Sequence, residues 1–179
     1  VAAQVPIPPD VPSGELPKNP RDFMTPNYGM TQWADLFTPR QLTALTTFSD
    51  LVGEARDRVL DDALAAGMPS GERLEAGGGG AEAYADAVAT YLAMAISRTL
   101  NKSTSICTWD SSPKMEAVRG LFARQAIPMA WDFAESNVLG SSSGNYAEDL
   151  EWVTRALDRL PVNSIDGIAT QSDATTREL

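Results

Sequence analysis

Two tryptophan-aspartate pairs and one asparagine are the residues best suited to contact a nucleic-acid base. Trp109 with Asp110 and Trp131 with Asp132 stand at predicted loops or helix ends, and Asn137 follows the second pair. An aromatic ring that lines a groove can stack on a flipped base or a single strand, and each stacked base contributes roughly 1–3 kcal/mol. In the alternative interpretation the tryptophans are core anchors and the aspartates are helix caps or hydrogen-bond partners.

The segment 113–125, PKMEAVRGLFARQ, is the positively charged part of an otherwise acidic chain. Lys114, Arg119 and Arg124 outnumber its single acidic residue. These cations are candidates for phosphate contacts, and Arg124 with Gln125 can also reach a phosphate and a base edge. The alternative is that they are solvated residues on the polar face of a helix.

Most catalytic arrangements are excluded by residue types that the chain lacks. It has no histidine and a single cysteine, Cys107, which removes Ser-His-Asp triads, Cys-His pairs, internal disulfides and nearly every catalytic zinc pattern. The run Gly77–Gly80 lacks the Gly-Lys-Ser/Thr ending of a phosphate loop. A hydrolase that uses Asp110 and Asp132 is a further option, but the two carboxylates form no paired motif. We therefore assign no catalytic residue and no metal ligand.

Length, composition and charge limit the class of protein. A chain of 179 residues with 43% apolar residues is expected to form one folded domain. It contains neither a long apolar run nor a signal-like start, which predicts a cytoplasmic protein. Its net charge of −10 repels phosphates and argues against an autonomous nucleic-acid binder.

Apolar periodicity predicts a mainly α fold that has four to five amphipathic helices and at most one or two short strands near the C-terminus. The first helix is predicted from a capping box of Thr38 and Gln41, with Pro39 at the first helical position and Gly67 after the end. Further helices are predicted over 81–100, 114–125 and 146–160, and a strand over 165–170. The helical pattern also covers 126–136, where Pro128 either begins a new helix or kinks the preceding one.

Proline and glycine mark the predicted boundaries between regions. Residues 1–27 contain seven prolines and predict an arm or linker, followed by a helical domain over 28–161 and a strand with a polar tail over 162–179. The glycine-rich segment 68–80 has no periodic apolar face and predicts a mobile surface loop.

Three long segments carry a family resemblance. They are YGMTQWADLFTPRQLTALTTFSDLVGEARDRVL at 28–60, YADAVATYLAMAISRTLNKSTSICTWDSS at 84–112 and VRGLFARQAIPMAWDFAESNVLGSSSGNY at 118–146. Together they resemble the large bacterial adenine-specific DNA methylases that carry an N-terminal domain of unknown function and a zinc-ribbon-like insertion, some of which are associated with phage defence. In that family a glycine-rich cofactor loop precedes this region and an Asp-Pro-Pro-Tyr catalytic motif follows it. Neither motif occurs in these 179 residues.

The resemblance implies that the chain is the helical region of an S-adenosylmethionine-dependent DNA adenine N6-methyltransferase, inactive alone and shaping the DNA-facing cleft. Its partners would be the remainder of that polypeptide and, through the whole enzyme, DNA. The tail GIATQSDATTREL is similar to the strand and Asp-Ala step before the catalytic strand, and it forms a possible edge of the methyltransferase sheet. Asp173 is then the candidate cofactor contact, since a carboxylate after a strand can accept from the adenine amine. The alternative for Asp173 is a solvated tail residue.

A second hypothesis comes from another functional class. The chain would be a stand-alone helical protein-interaction module without catalysis, which uses an amphipathic face to bind its partner. Its net negative charge suits a basic partner better than DNA.

Overall fold

The fold is taken from a computed structural model, which describes residues 5–19, 21–123 and 125–161. Within these residues the chain is mainly helical, as predicted. The three α-helices are α1 (Pro39–Ala65), α2 (Ala81–Leu100) and α3 (Tyr146–Leu157). Two short strands, β1 (Thr108–Asp110) and β2 (Ala117–Arg119), form an antiparallel hairpin. Single 3-10 turns lie at Thr25–Tyr28, Trp33–Leu36, Leu74–Ala76 and Leu121–Ala123.

Helix α1 begins at the predicted capping box. The Thr38 hydroxyl accepts a hydrogen bond from the Gln41 backbone N–H, and the Gln41 side chain accepts one from the Thr38 N–H at 2.8 Å. The apolar spacing of this segment predicts that Leu42 and Leu45 face inward, and both are buried in the core. The start of the helix and its inward face are therefore confirmed.

Helix α2 lies between α1 and α3, and its bounds match the predicted 81–100. Buried alanines on its surface, among them Ala85 and Ala95, let the neighbouring helices approach closely. Helix α3 begins after Asn145, whose side chain accepts from the Glu148 N–H at 2.9 Å. It ends at Leu157, three residues before the predicted end.

The helix predicted over 114–125 is wrong. Residues 117–119 form strand β2, and Gly120 packs against the side chain of Asn101. Asn101 holds the next turn because its backbone oxygen accepts from the Leu121 N–H and its Oδ1 accepts from the Phe122 N–H. These partners lie about 20 residues away along the chain, so tertiary contacts override the local helical pattern.

The helix predicted over 126–136 is also wrong, which leaves three α-helices among the described residues in place of four to five. This segment is extended and bonds to distant backbone. Ile127 bridges to Phe23, while the Ala134 N–H donates to the Cys107 oxygen and the Ser136 N–H donates to the Lys102 oxygen. The observed sheet thus lies mid-chain, not near the C-terminus, and the strand predicted over 165–170 lies outside the described residues.

One hydrophobic core joins α1 to the irregular segments around it. Its buried members are Leu16, Leu36, Phe37, Leu42, Leu45, Ile106, Cys107, Leu121 and Ile127. Leu16 belongs to the proline-rich stretch, and its N–H donates to the Thr31 oxygen at 2.8 Å. The part of that stretch nearest the helical domain therefore packs into the same core.

The glycine-rich segment 68–80 folds back on itself and on the start of α2. The Ala81 and Glu82 N–H groups donate to the Pro69 and Ser70 oxygens. A Cβ added at Gly78 would collide with the Glu72 backbone oxygen, so this glycine is required for close approach of two backbones.

No helix within the described ranges is both long enough and apolar enough to cross a membrane.

Candidate nucleic-acid interface

The β1–β2 hairpin presents Trp109 to solvent and Asp110 to the interior. Successive side chains of a strand point to opposite faces. Trp109 is accordingly 54% exposed and Asp110 only 8% exposed. Trp109 pairs across the hairpin with Val118, and its ring is not a core anchor.

Asp110 organises the hairpin through three charge-assisted hydrogen bonds. Its carboxylate accepts from the Ser112 N–H at 2.9 Å and from the Nε and Nη2 groups of Arg119 at 2.9 and 2.6 Å. The Ser112 N–H and then the Arg119 guanidinium hold the pKa of Asp110 at about 2, below its ordinary value, because both favour the ionised form. Arg119 is therefore part of an ion pair and not an isolated cation.

The second tryptophan is even more exposed. Trp131 is 75% exposed and packs edge-to-face against Tyr28, with ring centroids 5.2 Å apart. Phe133, two residues further on, is 51% exposed. The hydrogen bond from Ala134 to Cys107 connects this segment to the residues immediately before Trp109. We refer to Tyr28, Trp109, Trp131 and Phe133 as the exposed aromatic group.

The other predicted contacts are more scattered. Lys114 lies in the exposed loop of the hairpin, and Gln125 is exposed after the Leu121–Ala123 turn. Asn137, six residues after Trp131, lines a cavity between α1, α2 and the segment 135–139. Arg124 and Asp173 lie outside the described residues. The structure thus connects the two tryptophan segments, and it places Asn137 in a different feature.

A carboxylate that the sequence analysis did not single out, Asp86, has the densest set of polar contacts. It accepts from Arg56 at 2.7 Å, from two nitrogens of Arg73 at 2.9 and 3.0 Å and from the Leu74 N–H at 3.1 Å. Arg73 and then Arg56 hold the pKa of Asp86 far below its ordinary value. Arg56 also donates to Glu82 at 2.7 Å. The cluster joins α1 and α2 to the glycine-rich segment.

A signal for this cluster existed in the sequence. Glu82 and Asp86 are four residues apart on α2, a spacing that places two like charges side by side and is unfavourable without a cation between them. Arg56 supplies that cation in the structure, and its pKa is raised by the two carboxylates, Asp86 first.

A second buried carboxylate joins α2 to α3. Asp149 is 4% exposed and accepts from Arg98 Nε at 2.8 Å and from the Thr99 hydroxyl at 3.0 Å. Arg98 and Arg155 both lie over the ring of Trp152, at 5.3 and 5.5 Å from its centroid. Such cation–π contacts stabilise a partly exposed ring.

The described residues do not fit a cradle for S-adenosylmethionine. The glycine run before α2 is the glycine-rich loop among the described residues, and its Gly78 and Gly80 pack onto backbone atoms of residues 69–72. The space beside these glycines, which a cofactor would need in order to contact their backbone, is filled by residues 69–72 of the same loop. Within the part of the chain that the structure covers, no group of three or more His, Cys, Asp or Glu residues is arranged to hold a metal ion.

Comparison with known proteins found no matching family model, no matching curated protein and no matching solved structure.

Proposed function

We propose that this chain is a non-catalytic helical region of an S-adenosylmethionine-dependent DNA adenine N6-methyltransferase and that its exposed aromatic group faces the DNA. The observation that supports the proposal is the exposure of Trp131 and Trp109, which belong to the segments that resemble the methylase family. These rings lie on two segments joined by the Ala134–Cys107 hydrogen bond, and exposed aromatic rings on adjoining segments are a candidate binding surface.

Stacking, more than charge, would supply the contact. The chain carries a net charge of −10, and the Arg119 guanidinium is already bound to Asp110. Lys114 and Gln125 are exposed near the hairpin in sequence and remain candidates for phosphate and base contacts. A surface of this kind favours an unpaired or flipped base over a regular duplex, because only an unstacked base offers its face to an aromatic ring.

The catalytic parts would come from the rest of the enzyme. Bound S-adenosylmethionine supplies an activated methyl group, and methyl transfer needs a cofactor cradle and a motif that grips the target amine. Asp173, by resemblance, would contribute one cofactor contact. The role of the helical domain is then to form one wall of the DNA cleft.

Substitution of the exposed tryptophans tests the DNA contact. We expect Trp131→Ala and Trp109→Ala each to weaken binding of an oligonucleotide with one unpaired adenine by about 10-fold, since a stacked base contributes roughly 1–3 kcal/mol. The measurement is fluorescence anisotropy of the labelled oligonucleotide in a buffer with enough salt to screen the repulsion between the acidic chain and the phosphates. Trp152→Ala, which removes the 49% exposed ring on α3, is the matched control and should leave the affinity unchanged. Equal affinity of all four proteins would contradict the proposal.

The assignment to a methyltransferase has its own test. The coding sequence around this chain should encode a glycine-rich cofactor loop upstream and an Asp-Pro-Pro-Tyr motif downstream in the same frame. Methylation of DNA by the purified 179-residue chain, with no added polypeptide, would show that the chain is not a non-catalytic region.

A protein-interaction module is the second candidate, and a groove between α2 and α3 favours it. The groove has a volume of about 350 Å³, and three of its lining side chains, Met94, Trp152 and Leu160, are between 49% and 58% exposed. Exposed apolar side chains in a groove are typical of helix-binding surfaces. Under this hypothesis the oligonucleotide titration shows no binding, and Trp152→Ala weakens capture of a basic partner protein.

A further inference from the structure

A cavity of about 480 Å³ within the described residues is not explained by the proposed function. It lies between the first turns of α1, the second half of α2, the start of α3 and the segment 135–139. This volume is within the range of small-molecule sites, which is roughly 300–1,000 Å³. Its apolar wall is formed by side chains from all three helices: Leu45, Phe48, Ile96 and Tyr146. The rings of Phe48 and Tyr146 have their centroids 4.8 Å apart and are tilted by 36°.

The charged groups at the rim of this cavity compensate one another. The Glu135 carboxylate is bound by the Arg40 guanidinium on one oxygen and by the Gln41 amide on the other. The Gln41 amide oxygen in turn accepts from the Thr38 N–H, so both ends of that side chain are engaged. An ion pair at the rim leaves no net charge with which to attract an ionised ligand.

The hydroxyl groups in the cavity wall are also engaged within the protein. The single hydroxyl proton of Thr99 is shared between the Ala95 oxygen and Asp149, both 3.0 Å away, and Ser103 donates to the Thr99 oxygen at 3.1 Å. Groups that are already satisfied in this way do not select a ligand.

Two polar groups in the lining keep hydrogen-bonding capacity. Asn137 accepts the Leu139 N–H on Oδ1 at 3.1 Å, and this bond orients the amide and leaves its NH₂ group as a donor. The Tyr146 hydroxyl has no hydrogen-bond partner among the residues that the structure describes, and burial raises its pKa, so it stays protonated and can donate. The unused capacity is therefore that of two donors, the exposed Asn137 amide in the lining and the Tyr146 hydroxyl beside an apolar, partly aromatic wall.

We propose that this cavity binds an uncharged, flat, bicyclic heteroaromatic molecule that presents a ring nitrogen acceptor to the Asn137 amide. Aromatic walls favour a planar ring by offset or edge-on packing, and a compensated rim favours a neutral molecule. The volume admits a two-ring system of benzimidazole or purine size with room to spare, so the aromatic wall and the donor, not the volume, select the ligand. This inference is independent of the proposed contact with DNA, which concerns the exposed aromatic group.

Two nearly isosteric probes test the proposal. Benzimidazole carries a ring nitrogen that accepts a hydrogen bond, and indole has a carbon at that position. We expect the wild-type chain to bind benzimidazole in ligand-detected NMR, with indole weaker by about 5-fold, the value typical of one neutral hydrogen bond. Absence of benzimidazole binding at millimolar concentration would overturn the proposal.

Variants locate the site and assign the donor. Ala44 lies in the wall, and Ala44→Phe should fill the cavity and abolish binding of both probes, whereas Ser49→Phe on the exposed side of α1 should change neither. Asn137→Asp keeps an oxygen that accepts from Leu139 and removes the amide donor, so the preference for benzimidazole over indole should disappear. Binding that survives Ala44→Phe would place the site elsewhere and refute the proposal. An unchanged preference for benzimidazole over indole in Asn137→Asp would also refute it. Far-ultraviolet circular dichroism shows whether each variant keeps its helices, and a folded Ala44→Phe protein that still binds both probes as wild type does counts against the site.

Discussion

Asp110 shows how one short side chain determines the chemistry of its surroundings. Its carboxylate is bound by a backbone N–H and by both arms of the Arg119 fork, and these three donors fix the turn between β1 and β2. The same hydrogen bonds pair the charge of Arg119, which the sequence analysis had proposed as a phosphate contact. What remains on the outer face of the hairpin is the ring of Trp109.

The depressed pKa of Asp110 gives a pH dependence with a definite sign. The folded chain holds Asp110 ionised down to about pH 2, whereas the unfolded chain protonates it near 3.8, so the unfolded state binds more protons between these values. The contribution of Asp110 to stability is therefore complete above about pH 4 and is lost as the pH falls through 2.

We expect Asp110→Asn to be less stable than wild type near pH 5, and the difference in the free energy of unfolding to shrink as the pH approaches 2. Urea unfolding of both proteins across this range measures it. Because the Asp86 pKa is also depressed, both proteins lose stability in acid, and only their difference reports on Asp110. Parallel stability curves would contradict the prediction.

At the candidate site, the sequence identified the relevant residues, but it did not predict their exposure or their hydrogen-bond partners. The sequence identified Trp109 and Trp131 and left open whether they stack on a base or anchor the core; their exposure removes the second interpretation. The pairing of Arg119 with Asp110 could not be read from a local pattern, because it depends on a hairpin where a helix was predicted. Both Asp86 and Asp149 are bound by arginines from other elements.

At the level of elements, prediction succeeded where the determining interactions are local. All three α-helices have apolar periodicity within their own sequence, α1 and α3 also have side-chain caps in Thr38 and Asn145, and the predicted starts are confirmed. The segment 114–136 failed because its conformation depends on distant partners, among them Asn101, Cys107 and Phe23. The apolar spacing in this segment is helical, but Pro128 has no N–H to donate and therefore disfavours a continuous helix.

The glycine-rich segment gives an element-level prediction with an internal control. Gly78→Ala should destabilise the fold by roughly 1–3 kcal/mol, since its new Cβ would meet the Glu72 backbone and force the two strands of the loop apart. A Cβ at the neighbouring Gly79 meets no atom within 4 Å, so Gly79→Ala should be neutral or slightly stabilising.

Thermal or urea unfolding of these two variants distinguishes a packed loop from a mobile one. If the segment were an unconstrained loop, the two substitutions would behave alike.

At the scale of the whole molecule, the proline-rich stretch contributes to the core. Leu16 is 2% exposed among residues from α1 and from the segments around 106 and 127, and its backbone pairs with Thr31. Further toward the N-terminus, Ile7 is 63% exposed. The helical domain alone therefore does not complete the core.

We expect Leu16→Ala to lower the free energy of unfolding by about 3 kcal/mol, the usual cost of a Leu→Ala cavity in a core. Ile7→Ala removes a similar side chain from an exposed site and should change it by less than about 0.5 kcal/mol. Urea unfolding of the three proteins measures both effects. A neutral Leu16→Ala would mean that the stretch does not pack as described.

The buried thiol of Cys107 can report how often the folded chain opens. Its sulfur is the molecule's sole thiol, it is 1% exposed, and it shares a hydrogen bond with the Thr104 hydroxyl at 3.1 Å. A water-soluble sulfhydryl reagent can reach it only during a transient opening, so the rate of modification counts openings of the folded state. Comparison of the modification rate with the rate of global unfolding would reveal whether the core around Cys107 opens locally or only when the helices unfold.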